Sequence, residues 1–285
     1  MENRKIKIVA DSSCDLTKEQ IKEYDISIVP FCIVLGEQSY LDMEEITPDE
    51  IYKWADESKM TPKTAAISID YAVKTIQKLK EADVDIIFIG ISEGVSTTCN
   101  VMRLAAQMTG AERVFIVDSQ SLSTGIGLQV IKAAKMARAG MSAEEIVKEI
   151  EAARSRVKVS FVVDSLNYLA RGGRCSDATA LLADALKLHP SIRVVNGQME
   201  EGTKYKGSLS KAVMQYLDDM KSEMLAAEED LMFIIHSGID EEILVEAKAY
   251  VENLNYFKEV VVTRAGGVIS SHCGPATFSI MYYAK

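Results

Sequence analysis

The segment Asp85-Ile86-Ile87-Phe88-Ile89 sets four large apolar side chains in a row with no polar alternation. A strand built from such a run must be covered on both faces, as in a sheet packed between helices. Strand-like segments are expected at 6–10, 26–35, 84–89, 113–117, 159–163, 192–195, 231–236, 259–263 and 277–283. Helical patterns separate most of them, and this alternation predicts an α/β architecture.

Helix starts are marked by their chemistry. Thr47-Pro48-Asp49-Glu50 joins a capping threonine, a proline in the first turn and a glutamate three residues on. Ser142-Ala143-Glu144-Glu145 repeats the capping box and opens a helix running to Arg154. Ser176, Ser208 and Asp240 are expected to cap later helices, and Gly140 to end the helix that starts near Thr124. That punctuation divides the chain into an α/β domain at 1–157 with a mostly parallel sheet, and a mixed α/β domain at 158–285.

With 285 residues, 48% of them hydrophobic, the chain can bury a full core. Its formal net charge of −10 disfavours nucleic acid, because phosphate binding requires clustered cations. The same charge limits any contact with an anionic membrane to a transient one. Cys14, Cys32, Cys99, Cys175 and Cys273 are widely spaced and never form C-x-x-C, so free thiols are expected. His189, His236 and His272 give no zinc spacing, and no metal or cofactor is expected. Met1 to Lys5 lead directly into a strand pattern, and no run approaches the ~20 apolar residues of a membrane span. The expected location is cytoplasmic.

Three expected strands end in Asp-Ser: Asp11-Ser12, Asp118-Ser119 and Asp164-Ser165. Such residues cap following helices, and the carboxyl ends of strands are also where open α/β sheets hold ligands. Four polar clusters stand out. Pro62–Ser68 is expected as a loop leading into a helix. Ile91–Thr98 lies between a strand and a helix whose buried face is expected to carry Val101, Leu104, Ala105 and Met108. Ser96 is placed to cap that helix, where backbone N–H groups favour an anion, and a capping hydroxyl keeps its own proton to donate. Tyr168–Arg174 sets Arg171 and Arg174 around a glycine pair, and guanidinium forks suit carboxylates. Ser270–Pro275 holds His272 in a polar turn.

Taken in order, these segments resemble the DegV family along nearly the whole chain. The resemblance rests on Ile8–Leu16, the hairpin-like Gly36–Asp42 leading to Ile46-Thr47-Pro48, Pro62–Ser68, Ile91–Thr98, Val117-Asp118-Ser119, Tyr168–Arg174 and His272-Cys273-Gly274-Pro275. It implies two α/β domains with one long-chain fatty acid between them, the tail in an apolar tunnel to which the 13 methionines could contribute. It places the carboxylate on Thr64, Ser96 and His272, with Thr97 beside them. It further implies a non-catalytic subunit that presents the acid to a separate fatty acid kinase, with Arg171, Arg174 and Lys206 as the docking residues. The chain departs from the family pattern at Ala65, Ala66, Thr97 and Ala276, and at Lys206, where a lysine replaces a guanidinium fork.

A different chemistry is also written in the sequence. Gly90-Ile91-Ser92-Glu93-Gly94 fits the G-x-S-x-G elbow of serine esterases, and Asp118 and His272 follow in the Ser, Asp, His order. No His-Gly-Gly oxyanion loop precedes it. A phosphate-binding enzyme built on Arg171 and Arg174 would lack any Walker or dinucleotide glycine pattern.

Overall fold

The computed structural model describes residues 4–174 and 188–285. It is a mixed α/β protein, as the strand and helix patterns predict. The expected cap Ser176 and the thiol Cys175 lie outside the described residues. The strands are β1 (Ile6–Asp11), β2 (Ser27–Val29), β3 (Cys32–Leu35), β4 (Gln38–Leu41), β5 (Lys63–Ala65), β6 (Asp85–Gly90), β7 (Val114–Asp118), β8 (Val157–Val162), β9 (Leu188–Val195), β10 (Gln198–Lys206), β11 (Ala227–His236), β12 (Val260–Arg264) and β13 (Phe278–Ala284). The helices are α1 (Lys18–Glu23), α2 (Pro48–Ser58), α3 (Ile69–Glu81), α4 (Thr98–Thr109), α5 (Thr124–Arg138), α6 (Ala143–Ala153), α7 (Asn167–Gly172), α8 (Leu209–Met224), α9 (Glu241–Glu252) and α10 (Gly267–Cys273). None is long and apolar enough to cross a membrane among the described residues.

A wholly parallel sheet runs β2-β1-β6-β7, a mixed one β10-β9-β8-β13-β11-β12, and a small antiparallel one β4-β3-β5. Every residue of β6 is buried, as its unbroken apolar run requires. The expected strand at 26–35 is divided at Pro30, which cannot donate to a ladder, and its halves join different sheets. The segment expected as a loop at Pro62–Ser68 contains β5, which pairs Thr64 with Ile33.

Helix α5 lies between the two large sheets, in contact with β1 and β6 on one side and β8 and β13 on the other. One apolar cluster runs from Phe88 through Ile126 and Val130 to Phe161 and Met281. A second, under α8 and α9, holds Tyr216, Leu217, Ile280 and Tyr282. Both expected capping boxes are present, at Thr47 and Ser142, and Ser208 caps α8. Asp240 occupies its cap position without a side-chain bond, and Gly140 follows the end of α5 with φ +84.

The expected face of α4 is corrected in part: Ala105 is buried as expected and Val101 is partly buried, but Leu104 and Met108 are not. Its buried residues are Thr98, Cys99, Met102 and Ala105, while Leu104 and Met108 are 50% and 62% exposed. Both sets recur at helical spacing, and hydropathy favours the leucine and methionine stripe over the one that contains threonine and cysteine.

Helix α10 is tied to the start of the chain by buried carboxylates. Asp15 Oδ1 accepts the Gly266 N–H at 2.8 Å, and Asp42 Oδ1 accepts the Gly267 N–H at 2.9 Å. A Cβ at Gly267 would lie 2.5 Å from that Asp42 oxygen, so the close approach requires glycine. Burial raises Asp15 to about 8 and Asp11 to about 6. A carboxyl raised from about 3.9 in the unfolded chain takes up a proton on folding. Its stabilising contribution is therefore full below the unfolded value and is lost as pH rises toward the folded one. Asp15→Asn should flatten the fall in stability between about pH 4 and 8 by up to ~1.4 kcal/mol per pH unit. Urea midpoints measured across that range test it, and an unchanged slope would mean that Asp15 carries no proton.

Candidate functional site

Five of the site residues expected from the sequence, Thr64, Ser96, Thr97, Arg174 and His272, line one cavity of about 290 Å³. Thr64 is brought there by β5. Its Oγ1 lies 2.8 Å from Nε2 of His272, in the last turn of α10, 208 residues further along the chain. Burial, and next the charge of Arg174, hold His272 down at about 4, so the imidazole is neutral at physiological pH. Its Nδ1 is buried and has no hydrogen-bond partner among the described residues. A Cβ at Gly172 would sit 2.5 Å from that nitrogen, so the glycine makes room for the ring. The next residue, Gly173, closes α7 with φ +66.

A neutral imidazole carries one N–H. With the proton on Nε2, His272 donates to Thr64, and the threonine hydroxyl can donate to a third group. With it on Nδ1, Thr64 spends its proton on the ring. An anion in the cavity selects the first arrangement, which leaves the buried Nδ1 as a lone pair facing Gly172.

Ser96 and Thr97 follow β6 and precede α4. The cap lies one residue later than expected: Thr97 holds the N-cap position, with no side-chain bond of its own. Ser96 Oγ accepts the Thr98 N–H at 3.3 Å and lies 3.0 Å from Thr98 Oγ1. Ser96 and Thr97 both line the cavity. Most of the remaining wall is apolar, from Phe31, Ile91 and Leu122 on one side of the sequence and Val268, Ile269 and Cys273 on the other. A second space of about 20 Å³ shares Leu122, Ile269 and Cys273 with it, and continues to Phe161, Ile235 and Met281. Its hydroxyls, on Ser123, Ser237, Thr277 and Ser279, all donate to protein oxygens. Of the methionines, Met199 lines the cavity and Met281 the second space, while Met102, Met224 and Met232 are core residues elsewhere.

The three expected docking residues are not equivalent. Arg171 and Lys206 are exposed and do not line the cavity. Arg174 does line it, and its Nη1 donates to the Gly172 carbonyl at 2.6 Å. The apolar wall escaped residue-by-residue prediction because its members come from six separate segments, each reading as ordinary core.

A family model described as "Uncharacterised protein, DegV family" matches residues 5–285. The chain belongs to the DegV family. A DegV domain-containing protein of Clostridium perfringens is 32% identical over 280 residues, covering 98% of each chain. Among solved structures, a DegV family protein from Thermus thermophilus, described for its fatty acid binding, superposes with TM-score 0.90 at 30% identity, over 99% of this chain and 100% of that one. DegV of Bacillus subtilis, described as a fatty acid binding protein, gives 0.85 at 26% identity over 99% and 100%. The fatty acid kinase B3 protein of Streptococcus pneumoniae, loaded with linoleic acid, gives 0.83 at 20% identity over 98% and 99%, a likeness of fold.

In this DegV chain the esterase triad is not assembled. Ser92 is 2% exposed, donates to the Gly197 carbonyl at 2.7 Å and accepts the Gly94 N–H at 3.1 Å. Among the described residues no histidine bonds to it. Asp118 Oδ1 accepts from Glu93 N and Gln120 N, and His272 Nε2 pairs with Thr64 Oγ1. A fluorophosphonate probe should therefore leave the folded protein unlabelled. Labelling that disappears in Ser92→Ala would restore the nucleophile.

Proposed function

We propose that this DegV protein binds one long-chain fatty acid between lobes at 1–157 and 158–285, and holds it rather than converting it. The carboxylate is received by the hydroxyls of Thr64, Ser96 and Thr97, with His272 donating to Thr64 so that the threonine proton is free for the anion. The tail runs along Phe31, Leu122 and Ile269 toward Phe161 and Met281. The observation that carries this reading is the Thr64–His272 pair at 2.8 Å on the wall of an otherwise largely apolar cavity. The fatty acid binding described for the Thermus thermophilus and Bacillus subtilis relatives supports it.

The energetics divide the labour. Hydrogen bonds to a charged carboxylate are worth about 1.5–3 kcal/mol each, partly offset by desolvation. Each buried methylene adds about 0.8 kcal/mol. The head fixes orientation and the tail supplies most of the affinity. The cavity of about 290 Å³ is near the lower end of the ~300–1,000 Å³ usual for ligand sites, so a long tail draws on the second space beyond Leu122, Ile269 and Cys273.

Purified protein should carry one equivalent of fatty acid in native mass spectrometry, and delipidated protein should take up labelled palmitate or oleate. His272→Ala should weaken uptake by about tenfold or more. Absence of lipid together with failure of uptake would end this reading.

The same proposal extends to a cytoplasmic partner, a fatty acid kinase that makes an acyl-phosphate from the presented acid. Arg171 and Lys206 offer exposed cations on a chain of net charge −10, with no ion pair among the described residues, and local positive charge steers association. Arg174 stands between the two roles, on the cavity wall and near Arg171 in sequence. Arg171→Ala should leave lipid uptake unchanged and slow acyl-phosphate formation by the cognate kinase, with added salt slowing the wild type more than the variant. Loss of lipid uptake in Arg171→Ala would instead assign the arginine to the pocket.

A further inference from the structure

Behind the cavity wall, the Asp11–Asp15 turn and Asp42 form a buried polar hub. Its bonds reach the segments that carry the proposed fatty-acid contacts. Asp11 Oδ2 accepts the N–H of Ile91 at 2.8 Å, and Ile91 opens the loop that bears Ser96 and Thr97. Ser12 Oγ accepts the N–H of Phe31 at 3.1 Å, just ahead of β3, which pairs with Thr64 on β5. Ser12 Oγ also donates to Asp42 Oδ2 at 2.7 Å, and Asp42 Oδ1 holds Gly267 N at 2.9 Å. Asp15 holds the adjacent Gly266 N, and its backbone carbonyl accepts from Thr263 Oγ1 at 3.0 Å. Those two glycines open the helix that ends in His272.

Three carboxylates so close together are not what packing alone would select. Burying an ionisable group is costly unless its oxygens are hydrogen-bonded. Burial raises Asp11, Asp15 and Asp42 alike above the usual carboxylate range. What the acids add is direction: each oxygen accepts from a particular N–H or O–H and so fixes where a neighbouring segment begins.

We infer that Asp42, with Ser12 and Asp15, is a positioning residue for the carboxylate site, setting the register of α10 against β5 so that His272 meets Thr64. The inference rests on the fatty-acid reading for its ligand, but its geometry can be measured without one. Asp42→Ala removes the acceptor for Gly267 N, whereas Asp42→Asn keeps an acceptor for it and offers an amide to Ser12 Oγ.

The test combines palmitate affinity with the ¹⁵N shifts of the His272 ring. In Asp42→Ala, affinity should fall by about tenfold or more, and the His272 signals should move in ligand-free folded protein. Asp42→Asn should restore most of both. If Asp42→Ala does not fold, Ser12→Ala replaces it, with the same direction expected in both readouts. Unmoved His272 signals with unchanged affinity would overturn the inference. So would equal losses in the alanine and asparagine variants, which would mark Asp42 as a packing residue only. Wild-type protein that takes up no palmitate would defeat the fatty-acid reading, while the His272 shifts would still decide the positioning role.

Discussion

Two backbone N–H groups, those of Gly266 and Gly267, are accepted by carboxylates 251 and 225 residues away in the sequence. The rest of the arrangement depends on that closure. Thr64 reaches the cavity from a short strand in the first quarter of the chain, and His272 from a seven-residue helix near its end. A helix of two turns has little stability of its own. Its place is therefore dictated by what holds its first turn and by what packs along its side. The acids supply the first, and Ile51 and Leu169 of α2 and α7 belong to the apolar cluster that supplies the second.

Helix α5 gives the same closure its apolar counterpart. Both large sheets rest on it, and Leu122, just before it, lines both the cavity and the second space. Binding and stability are linked through this shared wall. A ligand that touches both sides of the sequence and binds only the folded chain stabilises it by RT ln(1 + [L]/Kd). Anything that loosens the contact of α5 with either sheet acts on the pocket as well as on the core.

Much of this was legible in the residues and some was not. The buried parallel strands announce themselves through unbroken apolar runs, and Thr47 and Ser142 through complete capping boxes. Strand β10 does not: it is an edge strand, and only Met199 and Tyr205 of its nine residues are buried. Strand β5 is three residues long and has no apolar alternation. On α4 two stripes fit one helical period, and only packing decides between them. The Asp-Ser signals were read as possible caps, and Asp11 does accept the Ser13 N–H as a cap would. Its second oxygen reaches Ile91, 80 residues on, and no local pattern encodes that contact. Thr64, Ser96 and His272 could be named from a resemblance, but their common wall could not, since apolar residues destined for a pocket look like those destined for a core.

The adjacent glycines of α7 answer to unlike demands, and this bears on how the chain can drift. At Gly173 an added Cβ meets nothing within 4 Å, and only the backbone angle, φ +66, resists change. Asparagine or aspartate tolerates that conformation better than other side chains. At Gly172 the angle is ordinary helix, but the space is already taken by the His272 ring. Lineages that keep the histidine can thus exchange the second glycine for asparagine, but can alter the first only after giving up the imidazole. A larger residue at 172 in any descendant of this chain would be a record that the His272 ring had already left its place beside Thr64.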